Sequence, residues 1–306
     1  MHKIDTLAPI CLFVYSRLAE TKKLIESLQK NILATESELF IFSDGAKNTH
    51  SIPEVNSVRE YIHTVNGFSS ITIFESDTNK GLAASIISGV TQIVNKYGKV
   101  IVLEDDLILA PNFLCFMNQA LEFYEDKKKI LNISGYSFTL KYPKSYRYDV
   151  AFSLRAASWG WAIWKDRWEQ IDWEVKDYNS LKWNIFKILM FSRGGSDLFQ
   201  MLYRQMNGKI DSWAIRFDYH HYKHKLLDVF PTISKVEYNG FNSEATHTTK
   251  KCDTYDTFLD TSKQCDFFFS EDIKINKNIA WQFYEHYSFS RRLKNKISQI
   301  KWKANK

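Results

Sequence analysis

The stretch VIVLEDDLILAPNF, residues 100–113, decides the fold of this chain. It begins as a continuous apolar run, which is typical of a strand buried on both faces, and it passes directly into three acids. Three similar runs precede it, at residues 10–14, 38–43 and 70–74. Helical patterns separate these runs, at residues 18–30, 54–65 and 82–97. The alternation predicts an α/β fold with a mainly parallel central sheet flanked by helices.

Beyond the quoted stretch the pattern is less regular and richer in helix. Helical patterns cover residues 112–127 and 179–207, and a strand pattern covers residues 130–134. Residues 211–218 lead to another helical stretch that ends near Leu227. The chain shows no internal repeat and no low-complexity segment. The sequence therefore predicts an α-rich C-terminal half.

The 306 residues have the composition of an ordinary globular protein, with 25% charged and 44% hydrophobic residues and a formal net charge of +6. No apolar stretch reaches the roughly 18 residues of a membrane-spanning helix. Positive charge is concentrated only at the C-terminus, which argues against a nucleic-acid partner. The apolar residues 7–15 predict a buried strand rather than a signal peptide, because no small-residue cleavage site follows them.

The four cysteines, Cys11, Cys115, Cys252 and Cys265, include no CxxC pair, and two of them lie in apolar runs. Disulfides are rare in compartments where cellular reductants keep thiols reduced. The sequence therefore predicts free thiols and a cytoplasmic protein.

Three adjacent acids, Glu104, Asp105 and Asp106, are the strongest chemical signal in the chain. Adjacent carboxylates repel one another, and a divalent cation such as Mg²⁺ or Mn²⁺ relieves the repulsion because it takes hard oxygen ligands. Side chains alternate along a strand, so the spacing predicts Glu104 and Asp106 on one side and Asp105 on the other. An acidic turn at a strand end is the alternative interpretation.

Polar groups also follow the three earlier apolar runs, where an open α/β sheet binds ligands. They are the side chains of Tyr15, Arg17, Asp44 and Lys80, together with the backbone N–H groups of Gly81 and Leu82. Arg17 either faces a nucleobase or phosphates, or is a surface residue at a helix start. Asp44 either accepts a hydrogen bond from a nucleobase or forms an Asp-Gly turn. The free N–H groups beside Lys80 either face an anion or belong to a simple helix cap.

The motifs GxxxxGK[ST], GxGxxG and GxSxG are absent from the sequence. P-loop hydrolysis, dinucleotide redox chemistry and α/β-hydrolase chemistry therefore lose support.

The acidic triplet, followed by a proline-introduced helix, resembles the DxD-type motif of nucleotide-sugar glycosyltransferases with the GT-A fold. Its EDD form is similar to that of the N-acetylglucosaminyltransferase I group and of bacterial family 2-like sugar transferases. Further segments resemble the same pattern in the same order: PICLFVYSRLAETKKLIESL at residues 9–28, IFSDGA at 41–46, NKGLAASIISGV at 79–90, SWGWAIWKDRW at 158–168, DSWAIRFDY at 211–219 and GFNSEATH at 240–247. The resemblance covers roughly residues 7–250, and the order and spacing of short segments carry it.

The resemblance implies a Rossmann-like GT-A domain with three parts. Residues 1–135 would bind the nucleotide sugar, residues 136–282 would bind the acceptor and carry out catalysis, and residues 283–306 would form a basic aromatic tail. The implied donor site consists of Tyr15, Arg17, Asp44, Lys80, Gly81, Leu82, Glu104 and Asp105. The implied ligands of Mn²⁺ or Mg²⁺ are Asp106 and His247.

Transfer with inversion needs a carboxylate that takes the proton of the acceptor hydroxyl, and the resemblance places such an acid near residue 211. We predict Asp211 as the general base, with Asp218 as its competitor and a helix cap as the structural alternative. The implied reaction moves a sugar from a nucleotide-diphosphate donor, with UDP favoured, to a glycan acceptor. Family analogy favours an acceptor in surface polysaccharide or lipopolysaccharide biosynthesis.

Two other functions stay open at this point. A sugar nucleotidyltransferase shares the architecture, but it normally has a Gly-rich basic loop after the first strand, which YSRLAETKK lacks. A non-catalytic carbohydrate-binding or scaffold protein would keep the fold without the chemistry.

A group of histidines, a group of tryptophans and the basic C-terminal tail remain to be assigned. His220, His221 and His224 lack a carboxylate or cysteine that would complete a zinc site, so we expect them on a helix surface. Of four closely spaced tryptophans, some are core, and one or two would stack on a sugar: Trp159, Trp161, Trp164 and Trp168. The seven cations in residues 291–306 predict peripheral contact with anionic lipid on the inner face of the membrane, or else a frayed tail.

Overall fold

The structure is a computed structural model that describes residues 6–239 and 257–294. The strands within these ranges are β1 (Ile10–Val14), β2 (Glu38–Ser43), β3 (Ser70–Glu75), β4 (Lys99–Glu104), β5 (Leu107–Leu109), β6 (Ile130–Ser134), β7 (Val150–Ser153), β8 (Trp161–Trp164), β9 (Leu227–Pro231) and β10 (Val236–Tyr238). The α-helices are α1 (Leu18–Gln29), α2 (Ile52–Ile62), α3 (Leu82–Tyr97), α4 (Phe113–Phe123), α5 (Lys165–Trp168), α6 (Tyr178–Lys182), α7 (Ile185–Phe191), α8 (Leu198–Met206), α9 (Trp213–Lys223) and α10 (Lys277–His286). Short 3-10 helices are Ala34–Glu36, Thr49–Ser51 and Ser192–Gly194.

The central sheet has the strand order β3-β2-β1-β4-β8-β6-β9-β7 among the described residues. Strands β3, β2, β1 and β4 are parallel neighbours. Strand β8 is antiparallel to both β4 and β6, so β6 runs in the same direction as β4, and β9 is parallel to β6. Only β8 and β7 of this sheet run the other way. The predicted α/β class, with a mainly parallel sheet flanked by helices, is confirmed.

The apolar runs are continuous because both faces of the sheet are covered. Along β1, Ile10, Leu12 and Val14 belong to a core that α1, α2 and α4 complete. Cys11 and Phe13 point to a second core, which α3, α5 and α9 complete. Every position of β1 is therefore buried, and a strand of this kind carries no polar alternation.

The strand order reverses at β1. The chain passes from β1 outward through β2 to β3, and then returns to place β4 on the opposite side of β1. Crevices at such a reversal, outside the carboxyl ends of the strands, are where open α/β sheets bind ligands.

The pattern at residues 179–207 is not one helix, as predicted, but three. The Asn184 side chain caps α7 by accepting a hydrogen bond from Lys187 N–H, and Gly194 and Gly195 separate α7 from α8. Helices α6 to α9, which we call the helical subdomain (residues 175–224), share a small apolar core of their own: Val175, Tyr178, Leu181, Phe191, Leu198, Leu202, Ile215 and Tyr219.

The tryptophan-rich segment contains a strand, β8, which sequence periodicity did not predict. Trp161 and Trp164 are three residues apart on β8 and lie in the two opposite cores. Trp161 stacks against Trp168 and Trp213, with ring centroids 5.8 and 4.9 Å away. The expectation that some of these tryptophans are core residues is confirmed.

An extended segment, residues 257–276, crosses α4, and we call it the strap. Asn112 donates a hydrogen bond to Asp260 at 3.0 Å, and the buried Lys235 pairs with the same carboxylate. Cys265 of the strap forms a disulfide with Cys115 of α4. The prediction of free thiols is therefore wrong for this pair, and the cysteines no longer indicate a reducing compartment. Cys11 is a free thiol buried in the core.

Cys265→Ser should lower the free energy of unfolding by about 2–4 kcal/mol, because the disulfide closes a long loop in the unfolded chain. Urea unfolding measures the change. Reductant should lower the stability of the wild type by a similar amount and leave the variant unchanged. Equal stability of the oxidised wild type and the variant would contradict the expectation.

The structure also bears on membrane insertion. None of the helices in residues 6–239 and 257–294 is long and apolar enough to cross a bilayer.

Candidate active site

One cleft of about 990 Å³ lies at the carboxyl ends of β1, β2, β3 and β4. This volume is at the upper end of the range usual for cofactor and small-molecule sites. The predicted residues that line it are Tyr15, Arg17, Asp44, Lys80, Gly81, Leu82, Glu104, Asp105 and Asp106. The structure thus brings the predicted donor residues to one place, although they come from four loops.

Arg17 holds the two aspartates of the acidic triplet. Its Nη1 donates a hydrogen bond to Asp106 Oδ2 at 3.0 Å, and its Nη2 donates to Asp105. The predicted alternation, with Asp105 on the opposite side, is wrong because β4 ends at Glu104 and the aspartates lie in the turn to β5. Asn239 N–H donates to the Asp106 carbonyl at 2.8 Å and holds this turn against the end of β10.

The three acids carry more negative charge than Arg17 neutralises. Burial, together with repulsion from Asp106 and Asp105, raises the pKa of Glu104 to about 8. Burial raises the pKa of Asp105 to about 6 in spite of Arg17, and it also raises the pKa of Asp106. A cleft with this charge balance favours a bound cation.

The Asp44 carboxylate fastens the loop between β3 and α3. Oδ1 accepts hydrogen bonds from Gly45 N–H and Lys80 N–H, both at 2.9 Å. Oδ2 accepts from Gly81 N–H at 2.9 Å and from the Asn79 amide at 3.1 Å. Both oxygens therefore hold the loop in position, and the direct contact of Asp44 with a nucleobase stays a prediction.

The glycine after Asp44 is required by the close approach of that loop. A Cβ on Gly45 would lie 2.4 Å from the Thr78 carbonyl carbon and 2.9 Å from Asn79 N, which are backbone atoms. Any side chain at this position would displace the loop that Asp44 holds.

Asp211 lies at the edge of the cleft, beside Gly81. A Cβ on Gly81, which has φ +80°, would lie 3.5 Å from Asp211 Oδ2. Trp213, the first residue of α9, lies close enough to Glu104 to lower the pKa of that carboxyl, so the start of α9 lies near the acidic turn. The Asp211 side chain is 60% exposed and therefore accessible to an incoming hydroxyl.

Asp218, the competing candidate for the base, is in a different environment. Its side chain is 7% exposed, and it accepts a hydrogen bond from Ala156 N–H at 3.0 Å. Arg155 lies 3.9 Å away but pairs more closely with Asp197, at 2.8 Å. Burial raises the pKa of Asp218 to about 7. Only Asp211 of the two is open to solvent beside the cleft.

Asp218→Asn should gain stability relative to the wild type as the pH rises. The folded pKa of about 7 lies above the ordinary value of 3.8, so native Asp218 holds its proton more tightly. Ionisation of Asp218 therefore lowers the stability of the wild type between pH 4 and 7, and the variant lacks this contribution. From pH 5 to 8 the difference in unfolding free energy should move roughly 2–3 kcal/mol in favour of the variant. Urea unfolding at both pH values measures it.

Asp126→Asn, which changes an exposed carboxylate, provides the control for that experiment. The difference in unfolding free energy between this variant and the wild type should be the same at both pH values. A constant difference between Asp218→Asn and the wild type would show that Asp218 ionises normally in the folded state.

The floor of the cleft is an aromatic stack that the sequence analysis did not predict. Phe13, Phe42 and Phe74 are register partners on adjacent strands, with ring centroids 5.0 and 4.8 Å apart. Each is the penultimate residue of its strand, and this shared position is the signal that would have identified them. Phe13 is buried, whereas Phe42 and Phe74 are half-buried and offer apolar ring surface to the cleft.

Tyr238, from β10, is a second lining residue that the sequence analysis missed. It stacks against Trp159 at 5.0 Å, so one of the predicted sugar-stacking tryptophans lies behind a cleft residue. No local pattern marks Tyr238, because β10 is three residues long and pairs with β5 across the fold.

The histidines do not form a metal centre in the described part of the chain. His247 lies outside the described residues, and residues 6–239 and 257–294 contain no group of three His, Cys, Asp or Glu side chains arranged to hold a metal ion. His220 and His221 are buried on α9, so their predicted surface position is wrong. Burial lowers their pKa values to about 4 and about 3.

Comparisons with known proteins give partial resemblances. No protein-family model matches the chain, and no curated protein matches it in sequence. A mannosyltransferase, PcManGT from Pyrobaculum calidifontis, solved with GDP-Man and Mn²⁺, is similar over 53% of this chain and 46% of its own, with 11% identity and a TM-score of 0.37. TarS from S. aureus is similar over 47% of this chain and 24% of its own, with 17% identity and a TM-score of 0.30. The chain thus spans less than half of either protein, and such low TM-scores add nothing to what the cleft indicates.

Proposed function

We propose that this protein is a metal-dependent, inverting glycosyltransferase of the GT-A type that uses a nucleotide-diphosphate sugar. One observation carries the proposal. A single cleft at the carboxyl ends of four parallel strands holds an aromatic floor, an arginine-held acidic turn and, at its edge, an accessible carboxylate. The aromatic floor would contact a nucleoside, the acidic turn would hold a diphosphate through a cation, and the carboxylate would accept the proton of an acceptor hydroxyl.

The donor would lie along the cleft from its floor to the acidic turn. The rings of Phe42 and Phe74 present apolar surface to the nucleoside, and Lys80 supplies positive charge for phosphates. Arg17 lines the same cleft and orients the two aspartates. Glu104 and Asp105 would accept hydrogen bonds from ribose and sugar hydroxyls. UDP is the donor nucleotide that the resemblance in sequence favours.

The residues present fit a divalent cation that takes most of its ligands from the substrate. Mg²⁺ is usually held by one or two carboxylates together with substrate phosphates, so a three-residue protein cage is not required. Asp106 lines the cleft and has unneutralised charge around it, and it would hold the ion together with His247. When bound, the ion supplies charge stabilisation to the departing diphosphate.

Asp211 would act as the general base. Its carboxylate takes the proton of the acceptor hydroxyl while that oxygen forms a bond to the anomeric carbon and the bond from that carbon to the diphosphate breaks. Attack from the side opposite the leaving group inverts the anomeric configuration. Trp213, the first residue of α9, stacks against Trp161 at 4.9 Å, which fixes the start of α9 and thereby positions Asp211.

We place the acceptor among surface glycans, such as lipopolysaccharide or capsular polysaccharide. Support comes from family analogy and from the basic tail, residues 283–306, which suits contact with anionic lipid.

A thermal-shift panel tests the proposal directly. UDP-sugars and GDP-sugars, each with and without Mn²⁺, are added to the wild type, and a ligand that binds the native state raises Tm. Selective stabilisation that requires both the nucleotide sugar and the cation supports a transferase. Stabilisation by a nucleoside triphosphate and sugar phosphate instead would favour the nucleotidyltransferase, and stabilisation by free glycans alone would favour a carbohydrate-binding protein.

A further inference from the structure

An apolar surface on the helical subdomain has no partner among the described residues. It consists of five exposed side chains, which we call the α7 patch: Trp183, Ile185, Phe186, Leu189 and Met190. Trp183 is 80% and Phe186 77% exposed. Five large apolar side chains within eight residues form a contiguous exposed patch, and such patches mark interaction sites.

The α7 patch is not needed for the internal packing of the subdomain. Helix α7 is anchored by its opposite face, where Phe191 is buried and Ile188 is partly buried against the subdomain core. The Phe191 ring packs edge-on against Tyr219, at 5.7 Å. This short helix therefore carries large apolar side chains on its outward face as well, which a helix that served only the fold would not do.

The surroundings of the patch are positively charged. Residues 178–195 contain no Asp or Glu and three cations, Lys182, Lys187 and Arg193. The acids that border this segment are already paired, Asp177 with Lys223 at 3.1 Å and Asp197 with Arg155 at 2.8 Å. The three cations therefore keep their charge for an external partner.

We propose that the α7 patch docks on an anionic lipid bilayer, with its apolar side chains at the headgroup boundary and its cations against lipid phosphates. Short basic segments with Trp, Phe and Leu on one face bind membranes in this way. Tryptophan is favoured at the membrane–water boundary because its ring is amphipathic. A second copy of this chain fits less well, since symmetric pairing of the patch would bring the same cations together.

The start of the tail lies beside the same subdomain. Ser196 Oγ donates a hydrogen bond to the Tyr287 carbonyl at 2.8 Å, and Arg292 donates to Gln200 at 3.3 Å. The described start of the tail therefore contacts the helical subdomain that carries the α7 patch. The inference does not rest on the proposed sugar transfer, because lipid binding is measured without donor or acceptor.

Vesicle co-sedimentation tests the proposal with the full chain. Large vesicles of phosphatidylcholine, with or without phosphatidylglycerol, are mixed with protein at moderate salt. Wild-type protein should sediment with the anionic vesicles and stay in the supernatant with phosphatidylcholine alone. Phe186→Ser/Leu189→Ser should lower the partition coefficient at least about tenfold. Lys182→Gln/Lys187→Gln should lower it about fivefold for each charge.

Two controls make the result specific. Ile52→Ser removes an exposed apolar side chain from α2, outside the helical subdomain, and should bind as the wild type does. Lys301→Gln/Lys303→Gln measures the contribution of the tail to vesicle binding. It should weaken binding without abolishing it. Because the substituted patch residues are exposed, thermal unfolding of each variant should match that of the wild type.

Three outcomes would overturn the proposal. The first is unchanged vesicle binding by Phe186→Ser/Leu189→Ser, and the second is complete loss of binding in the tail variant alone. The third is a wild-type protein that is dimeric and does not bind vesicles, together with a monomeric Phe186→Ser/Leu189→Ser variant. That result would make the patch an interface between copies of the chain. Failure of the nucleotide-sugar panel would leave the vesicle result unaffected, so the two proposals fail separately.

Discussion

Asp106→Asn should lower the rate of sugar transfer by roughly 10³-fold or more while the protein stays folded. The amide keeps the shape of the side chain and its acceptor oxygen for Arg17, but it removes the charge that would hold the cation. Stability should not suffer, because burial already raises the pKa of Asp106 and Arg17 keeps its contact with Asp105. Transfer assays with the donor from the thermal-shift panel measure the rate, and the Mn²⁺-dependent rise in Tm should disappear with it.

Asp126→Asn is the matched control, since it makes the same chemical change at an exposed site. It should keep both the activity and the cation-dependent thermal shift. Asp106→Asn protein that is folded and fully active would remove the basis of the metal-dependent reaction. Loss of folding in Asp106→Asn, in place of loss of activity, would assign the carboxylate a structural role.

Asp211→Asn should lower kcat by about 10²–10⁴-fold and leave donor binding unchanged, because general-base catalysis contributes this much. The side chain is exposed and its partner Arg216 lies 3.4 Å away, so the substitution should cost little stability. Steady-state assays give kcat, and the thermal-shift panel shows whether the donor still binds.

Asp218→Asn provides the comparison, because it is the same change seven residues later. Asp218 is buried against Ala156 N–H and should not act on the acceptor, so its variant should retain kcat at neutral pH. A large loss of kcat in Asp218→Asn, with Asp211→Asn fully active, would exchange the roles of the two aspartates.

The first half of the fold is readable from the sequence because its signals are local. Strand β2 and helix α3 have the predicted bounds, 38–43 and 82–97, since each begins and ends at a change of composition along the chain. A strand buried on both faces is apolar throughout, so it is visible without knowledge of its neighbours. Strands β5, β7 and β10 were not predicted, because three or four residues carry too little periodicity to distinguish a strand from a loop.

The disulfide and the choice between the two aspartates show why local signals are insufficient. Cys115 and Cys265 are 150 residues apart, and only the path of the strap across α4 brings them together. Asp211 and Asp218 are equally polar in sequence, but one precedes α9 at an open edge and the other faces the interior. Burial depends on what packs against a residue, which its neighbours along the chain do not specify.

By itself, the sequence determined the parallel α/β core, the acidic triplet at the end of its fourth strand, and the residues that collect at the other strand ends. These features follow from residue type and periodicity, and chain geometry then places the carboxyl ends of parallel strands at one edge of the sheet. Only the tertiary structure decided that Arg17 joins Asp105 and Asp106, that Asp44 holds the β3–α3 loop, and that α7 presents its apolar face outward. Each of these depends on contacts between segments distant in the chain, and such contacts form only when the whole fold has set the relative positions of its elements.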